Sequence, residues 1–273
     1  MISRKKAKHL LIALTAIALL FAVIQWGKVN DERNSETPPE FVVGDLGGMK
    51  VKIPSYYVDL LEYEGDPGWS GRRNGPAPVR TYQSRIISFG VTVRYPDMAG
   101  LSSPAMWADK GKYTAVDTPW ISMGVTSGPI YPGDGFMERG AQRVIDSIGT
   151  RSPDVFKKEG EKLFGGLDLY VQQGESIDGK PRRESESDIY IYQSENGRVK
   201  SDIRCSNAKY PATLCQHTFT MEDDDLHTQV SILYRRTMLV HWQDLQQKAR
   251  QLILSWKASE NPPHVAPSSS PHN

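Results

Sequence analysis

Apolar and polar residues alternate strictly in the middle of the chain. In the segment RIISFGVTVRY, the odd positions from Ile87 to Tyr95 are apolar, and the even positions from Ser88 to Arg94 are small or polar. A period of two is typical of a strand that is buried on one face only. This segment therefore predicts a half-buried β-strand.

Six further segments predict strands by the same criterion. They are GGMKVKIP, GGLDLYVQQ, SDIYIYQS, VKSDIRCS, CQHTFTME and LHTQVSILYRR, and they are separated by Gly, Asn and acidic residues. The segment DIYIYQSENGRVKSDIRCS has a short Asn-Gly turn between two strand patterns, which favours antiparallel pairing. The strands are therefore predicted to form mostly antiparallel sheet.

The last regular element has a different period. Large apolar residues and one Ala recur there at spacings of three, four and seven, with polar residues between them: Trp242, Leu245, Ala249, Leu252, Ile253 and Trp256. This pattern predicts an amphipathic helix packed on a sheet. The segments SSPAMWADKG and GFMERGAQRVIDSIG predict two more helices, so the expected fold is α+β with a C-terminal amphipathic helix.

The folded part is expected to contain two similar subdomains, 41–155 and 156–258. The prediction depends on an internal similarity, because DLGGMKVKIPS and KLFGGLDLYVQQ both place paired glycines directly before a strand. The alternative is a single α+β domain, since one large domain also accommodates a chain of 30.6 kDa.

The two ends of the chain lack the pattern of a folded core. Residues 1–27 combine a basic start with an uncharged apolar stretch at 10–26, which predicts an uncleaved signal anchor in the inner membrane. The basic residues precede the apolar stretch, so the rest of the chain is expected to face the periplasm. Residues 28–40 predict a polar linker and residues 259–273 a disordered tail.

Composition and charge exclude some classes of function. Hydrophobic residues make up 38% of the chain and charged residues 24%, as in folded globular proteins. The leader holds four of the 33 basic residues and none of the 32 acidic ones, so the remainder carries a net charge of −3. A nucleic-acid partner is not expected, because proteins that bind nucleic acid usually carry a basic surface.

The chain has two cysteines, Cys205 and Cys215. In an oxidising compartment, two cysteines at this spacing most often form a disulfide. A redox pair is more often C-x-x-C, and a zinc site would need further ligands, for which His217 and His227 are the nearby candidates. A structural disulfide is the favoured prediction, with no metal and no cofactor.

The sequence contains none of the common catalytic motifs. GWSGR fails the G-x-S-x-G pattern at Arg72, and the chain has no phosphate-binding loop, no G-x-G-x-x-G and no H-E-x-x-H. The acidic run at 222–225 lacks the ligand order of a calcium loop and predicts a solvated turn. The protein is therefore not expected to be an enzyme. A pocket in which His217 or His227 meets a carboxylate would favour that alternative.

Two segments rich in Gly and Pro are the candidate contact loops. The first, EYEGDPGWSGRRNGPAPVRTY, carries Trp69, Arg72 and Arg73, and the second, DTPWISMGVTSGPIYPGDGF, carries Trp120, Tyr131 and Asp134. Long loops are often functional, and aromatic residues and Arg are enriched at interface hot spots. These six residues are the predicted partner-binding set. The alternative is that the aromatic residues cover the edges of the core.

The folded part resembles a known family in its general pattern. It opens with GDLGGMKVKIPSYY and closes with the strand HTQVSILYRR and the helix LVHWQDLQQKARQLILSW. This arrangement resembles the immunity proteins encoded beside type VI secretion lipase effectors of Gram-negative bacteria. The resemblance covers most of residues 41–258 and includes no diagnostic motif.

The resemblance implies a periplasmic protein that binds a secreted phospholipase effector and blocks access to its active site. The family implies no catalytic residues and no cofactor. A membrane-anchored adaptor or structural component of an envelope secretion machine is the alternative. The gene beside this one would distinguish the two, because immunity predicts an adjacent lipase.

Overall fold

The structure is a computed structural model that describes residues 39–68, 71, 75–113, 117–148, 155–208 and 213–259. The predicted signal anchor lies outside these ranges, as do nearly all of the linker and the tail. Within these ranges no helix combines the length and the apolar character that a membrane-spanning helix requires.

The fold begins with a β-hairpin. Strands β1 (Phe41–Leu46) and β2 (Met49–Pro54) pair antiparallel, and Gly47 and Gly48 form the turn between them. Both glycines have positive φ, 58° and 106°, which a two-residue hairpin turn of this kind requires. A Cβ on Gly47 would also lie 2.6 Å from the carbonyl oxygen of His227, so the close packing of this turn requires glycine.

The other ten strands of the described residues form one sheet. Their bounds are β3 Asp59–Tyr63, β4 Ile86–Arg94, β5 Ala99–Gly100, β6 Trp120–Ser127, β7 Phe156–Leu163, β8 Leu167–Gln172, β9 Ser187–Gln193, β10 Val199–Ser206, β11 Leu214–Thr220 and β12 Thr228–Arg235. The order is β3-β4-β6-β12-β11-β10-β9-β8-β7, with β5 beside β4, and every pair is antiparallel. The predicted antiparallel sheet is confirmed.

The regions 41–155 and 156–258 meet in the middle of this sheet. Strand β6 pairs with β12 over six residues, from Thr228 opposite Ser127 to Leu233 opposite Ser122. Backbone hydrogen bonding is therefore continuous between the regions 41–155 and 156–258. The division into two similar subdomains stays a prediction.

Two of the three helices lie on opposite faces of the sheet. The helices are α1 (Pro104–Gly111), α2 (Phe136–Asp146) and α3 (Trp242–Ser255). Leu245 of α3 belongs to the main core with Tyr190 of β9, whereas α2 packs against Ile189 and Ile191 of the same strand. Successive side chains of a strand point to opposite faces, so α2 and α3 cover different faces. The predicted C-terminal amphipathic helix is confirmed as α3.

Strand β6 corrects one prediction. Its residues were predicted to lie in a contact loop, but Trp120–Ser127 is an inner strand between β4 and β12. Ile121, Met123 and Val125 are buried in the main core, as period-two alternation requires. Gly124 and the flanking Pro and Gly residues obscured this pattern in the sequence.

The predicted disulfide is present. Cys205 of β10 and Cys215 of β11 are directly opposite in the antiparallel register, and their sulfur atoms are bonded. Both side chains are fully buried in the main core. The bond therefore joins two neighbouring strands inside the protein, and it is typical of a chain that folds in an oxidising compartment.

Candidate functional site

The first predicted contact loop is fixed at both of its described ends. Trp69, Arg72 and Arg73 lie outside the described residues. Before them, Asp66 accepts a hydrogen bond from Arg80 at 2.5 Å, and the Arg80 guanidinium lies 4.2 Å from the ring centroid of Tyr63. Asp66 and Arg80 thus hold the two ends of the loop together beside strand β3.

The second group of predicted contact residues is divided between two places. Trp120 begins β6, and only 7% of its surface is exposed. Tyr131 and Asp134 follow the other end of that strand, roughly 25 Å away at about 3.3 Å per residue. The structure therefore brings Tyr131 and Asp134 together and does not bring Trp120 to them.

Tyr131 and Asp134 belong to a polar cluster at the rim of the sheet. The Tyr131 hydroxyl donates to Glu222 Oε1 at 2.7 Å and lies 3.2 Å from Asp134 Oδ1. Burial and the hydrogen bond to Glu222 raise the pKa of Tyr131. The phenol therefore stays protonated at neutral pH and acts as a hydrogen-bond donor that joins two loops.

The acidic run at 222–225, predicted to be a solvated turn, is largely ion-paired. Arg198 lies 2.7 Å from Glu222, Lys200 lies 2.6 Å from Asp223, and Arg250 donates to another carboxylate of the run, Asp224, at 2.8 Å. The part of the chain that the structure describes contains no group of His, Cys, Asp and Glu residues able to hold a metal ion. The run connects strand β10 with helix α3.

The two histidines singled out by the sequence have different environments. His227 Nδ1 lies 3.2 Å from Asp134 Oδ1, and both side chains are about two-thirds exposed. His217 is fully buried and meets an amide, with its Nε2 3.0 Å from Gln246 Oε1. His227 thus has the carboxylate contact that would favour an enzyme, and the ring of Tyr131 lies beside it, with 5.8 Å between the ring centroids.

No described helix or loop covers one face of the sheet over strands β4, β6, β12 and β11. Gly90, Gly124, Ser231, Thr218 and Asp202 are consecutive partners across five adjacent strands, from β4 to β10. A Cβ built on Gly124 meets no atom within 4 Å. We call this surface, on the side opposite helix α3, the open face. Its central row consists mainly of small side chains.

A groove separates helix α2 from the open face. It has a volume of about 490 Å³, and its apolar wall includes Phe136, Gly140 and Val144 of the helix. The opposite side is polar and includes Asp202 and Arg204 of β10. Arg204 binds Asp202 through two hydrogen bonds of 3.0 and 3.1 Å. The groove therefore combines apolar surface with fixed polar groups, which is the composition of binding sites in general.

This groove and the open face were not predicted from the sequence. The alternating polar positions of β11 and β12 indicated which residues point away from the core. Whether a second layer covers those residues depends on the position of α2, which is not a local property of the sequence. A glycine inside the pattern of α2, at position 140, was the one available signal.

Comparison with known proteins finds a solved structure that is similar to this chain. No protein-family model and no curated protein matches the chain. The solved structure is Smlt3025, an immunity protein of the Stenotrophomonas maltophilia type IV secretion system. The two chains are 21% identical, with a TM-score of 0.47, over 81% of this chain and 94% of the other. The system named there is type IV, whereas the sequence pattern resembles immunity proteins of type VI effectors.

Proposed function

We propose that this protein is an immunity protein that binds a secreted toxic effector and inhibits it. The observation that carries the proposal is the open face with its adjoining groove. A ten-stranded sheet fixed by a disulfide presents a polar, uncovered surface beside an apolar wall. A rigid surface of this kind binds a protein partner without a large cost in ordering.

The finer proposal names the effector and the compartment. On the resemblance of the sequence, the effector is a type VI secreted phospholipase whose active site the immunity protein blocks in the periplasm. The buried disulfide supports an oxidising compartment. The apolar stretch at 10–26 supports attachment to the inner membrane.

The experiment uses the full-length chain and the product of the neighbouring gene. Both proteins are produced with a periplasmic signal in a host, and cell survival and phospholipid hydrolysis are measured with and without the immunity protein. We expect toxicity and hydrolysis to disappear when the two proteins form a complex of fixed stoichiometry. A stable complex whose hydrolytic activity is undiminished would favour the adaptor alternative instead.

The predicted contact set is tested in the same assay. Trp69, Arg72, Arg73, Tyr131 and Asp134 remain the proposed contact residues, whereas the side chain of Trp120 is buried at the start of β6. We expect the double substitution of Trp69 and Arg73 by Ala to weaken effector binding at least about tenfold, as is typical of hot-spot residues. If protection and affinity are unchanged in this variant, the first loop is not part of the interface.

A further inference from the structure

The groove beside α2 contains a glycine that the isolated chain does not require. Gly140 lies near the middle of the 11-residue helix, and its backbone is not left-handed. A Cβ at this position meets no atom of the residues that the structure describes within 4 Å. A glycine inside a helix costs about 1 kcal/mol relative to alanine. Neither contact with the described residues nor backbone conformation offsets that cost, whereas close approach of another molecule to the backbone would.

A positively charged side chain, that of Arg143, lies near this glycine. Arg143 is exposed one turn further along α2, and its Nε donates to the carbonyl oxygen of Arg139 at 3.3 Å. Among the ranges described above, no carboxylate forms an ion pair with Arg143. Across the groove, Arg204 and Asp202 neutralise each other through their paired hydrogen bonds. The groove therefore has a net charge of about +1, which is complementary to a single carboxylate.

The apolar wall of the groove is large enough for one side chain of a partner. Phe136 and Phe156 are half-buried, and Val144 belongs to the same apolar cluster on the sheet. Interfaces commonly place an apolar anchor in such a pocket and surround it with polar groups, and Arg is enriched there. The wall and Arg143 together define a site for an apolar side chain next to an acidic one.

We infer that this groove, the α2 groove, receives a segment of the effector that inserts an apolar side chain over Gly140 and pairs a carboxylate with Arg143. This inference rests on the proposed function, since the effector is the partner. The row of small residues on the open face continues from the groove and offers a path for the rest of that segment.

The test compares matched glycine variants of the full-length chain. Gly140→Leu fills the α2 groove. Gly111→Leu is the control, because Gly111 lies at the end of α1 and outside the groove, and a Cβ on it would also meet no atom within 4 Å. Affinity for the purified product of the neighbouring gene is measured by calorimetry. We expect Gly140→Leu to weaken binding at least about tenfold and Gly111→Leu to leave it unchanged.

Charge reversal tests the carboxylate. We expect Arg143→Glu to weaken binding about tenfold or more, because like charges across an interface repel each other. We expect Arg143→Lys to retain most of the affinity, because it keeps the positive charge. An Asp or Glu of the effector changed to Arg should then restore the affinity of Arg143→Glu. Circular dichroism spectra establish that each variant is folded.

Each outcome has a distinct meaning. If the wild-type chain does not bind the neighbouring gene product, the proposed function and this inference both fail. If wild type binds and both Gly140→Leu and Arg143→Glu bind equally well, the α2 groove is not the site, and the proposed function stands. If the wild-type chain is a dimer that Gly140→Leu dissociates, the groove binds a second copy of this chain, and the inference is overturned.

Discussion

The buried imidazole of His217 predicts that stability falls in mild acid. The side chain is fully buried among three aromatic rings, those of Phe219, Tyr234 and Trp242. Its Nε2 bonds to Gln246 Oε1, an acceptor, so the neutral ring carries its proton on Nε2. Among the residues that the structure describes, Nδ1 has no hydrogen-bond partner. Protonation of Nδ1 would place an uncompensated charge in the core.

The magnitude follows from the pKa of His217. Burial lowers this pKa from 6.5 to about 4, and the weaker opposing effect is the hydrogen bond to Gln246. The stability associated with the neutral ring is complete above pH 6.5. As the pH falls from 6.5 to 4, the unfolded chain binds a proton at this position and the folded chain does not. The free energy of unfolding should therefore decrease by about 3 kcal/mol across this window.

Urea denaturation at pH 7.0, 6.0, 5.0 and 4.5 measures this effect. The matched variants are His217→Phe, which cannot titrate and keeps an aromatic ring in the core, and His227→Gln at an exposed position. We expect His217→Phe to lose most of the pH dependence and His227→Gln to retain it. A wild-type free energy that stays constant between pH 7.0 and 4.5, or a slope that persists in His217→Phe, would refute the reasoning.

Three other variants, one of them with a matched control, test the fold. The double change of Cys205 and Cys215 to Ser should lower the free energy of unfolding by roughly 2 to 3 kcal/mol, and a reductant should lower it in wild type but not in the variant. Asp188→Asn should lower the free energy of unfolding by about 3 kcal/mol in chemical denaturation, because the Asp188 carboxylate is 1% exposed and accepts a 2.6 Å hydrogen bond from Arg236. The control, Asp178→Asn at the surface, should leave the free energy of unfolding unchanged. Gly140→Ala should raise the free energy of unfolding by up to about 1 kcal/mol in the same measurement, since no described residue obstructs its methyl group. A lower free energy of unfolding in this variant would contradict the free space above Gly140 in the α2 groove.

The Asp188 network also connects local and long-range structure. Burial disfavours ionisation of Asp188, but hydrogen bonds from Arg183, Asn207 and Arg236 outweigh it and hold the pKa of the carboxyl below its ordinary value. The stability from this ionised group is present above the ordinary pKa and is lost as the pH falls below it. Arg236 comes from the segment after β12, so the network joins that segment to β9.

Much of the fold could be predicted from local patterns. The alternation around Val91 predicted β4, the spacing of Leu245 and Ala249 predicted α3, and the Asn-Gly turn predicted the pairing of β9 with β10. These features depend on the period of side chains along one element, which a single sequence displays. The inner strand β6 was missed, because Gly124 interrupts its apolar pattern and loop-forming residues flank it.

The candidate site was much less predictable. The loop composition drew attention to Tyr131 and Asp134 as candidate contact residues, but their partner Glu222 is 91 positions from Tyr131 in the sequence. The α2 groove requires that α2 and β10 meet, and the two are also far apart in the chain. Composition indicates which residues suit an interface, whereas position in space decides which of them share one.

Local patterns were enough to predict the strands of regular period, the C-terminal helix and the pairing of the two cysteines, because each depends on residues that are near one another in the chain. Three features became evident only in the folded chain: β6 pairs with β12 in the middle of the sheet, α2 leaves the open face uncovered among the described residues, and His217 is buried without a counter-charge. Those features arise from contacts between distant segments, and the free energy of such contacts depends on the packing of the whole chain and not on any local period.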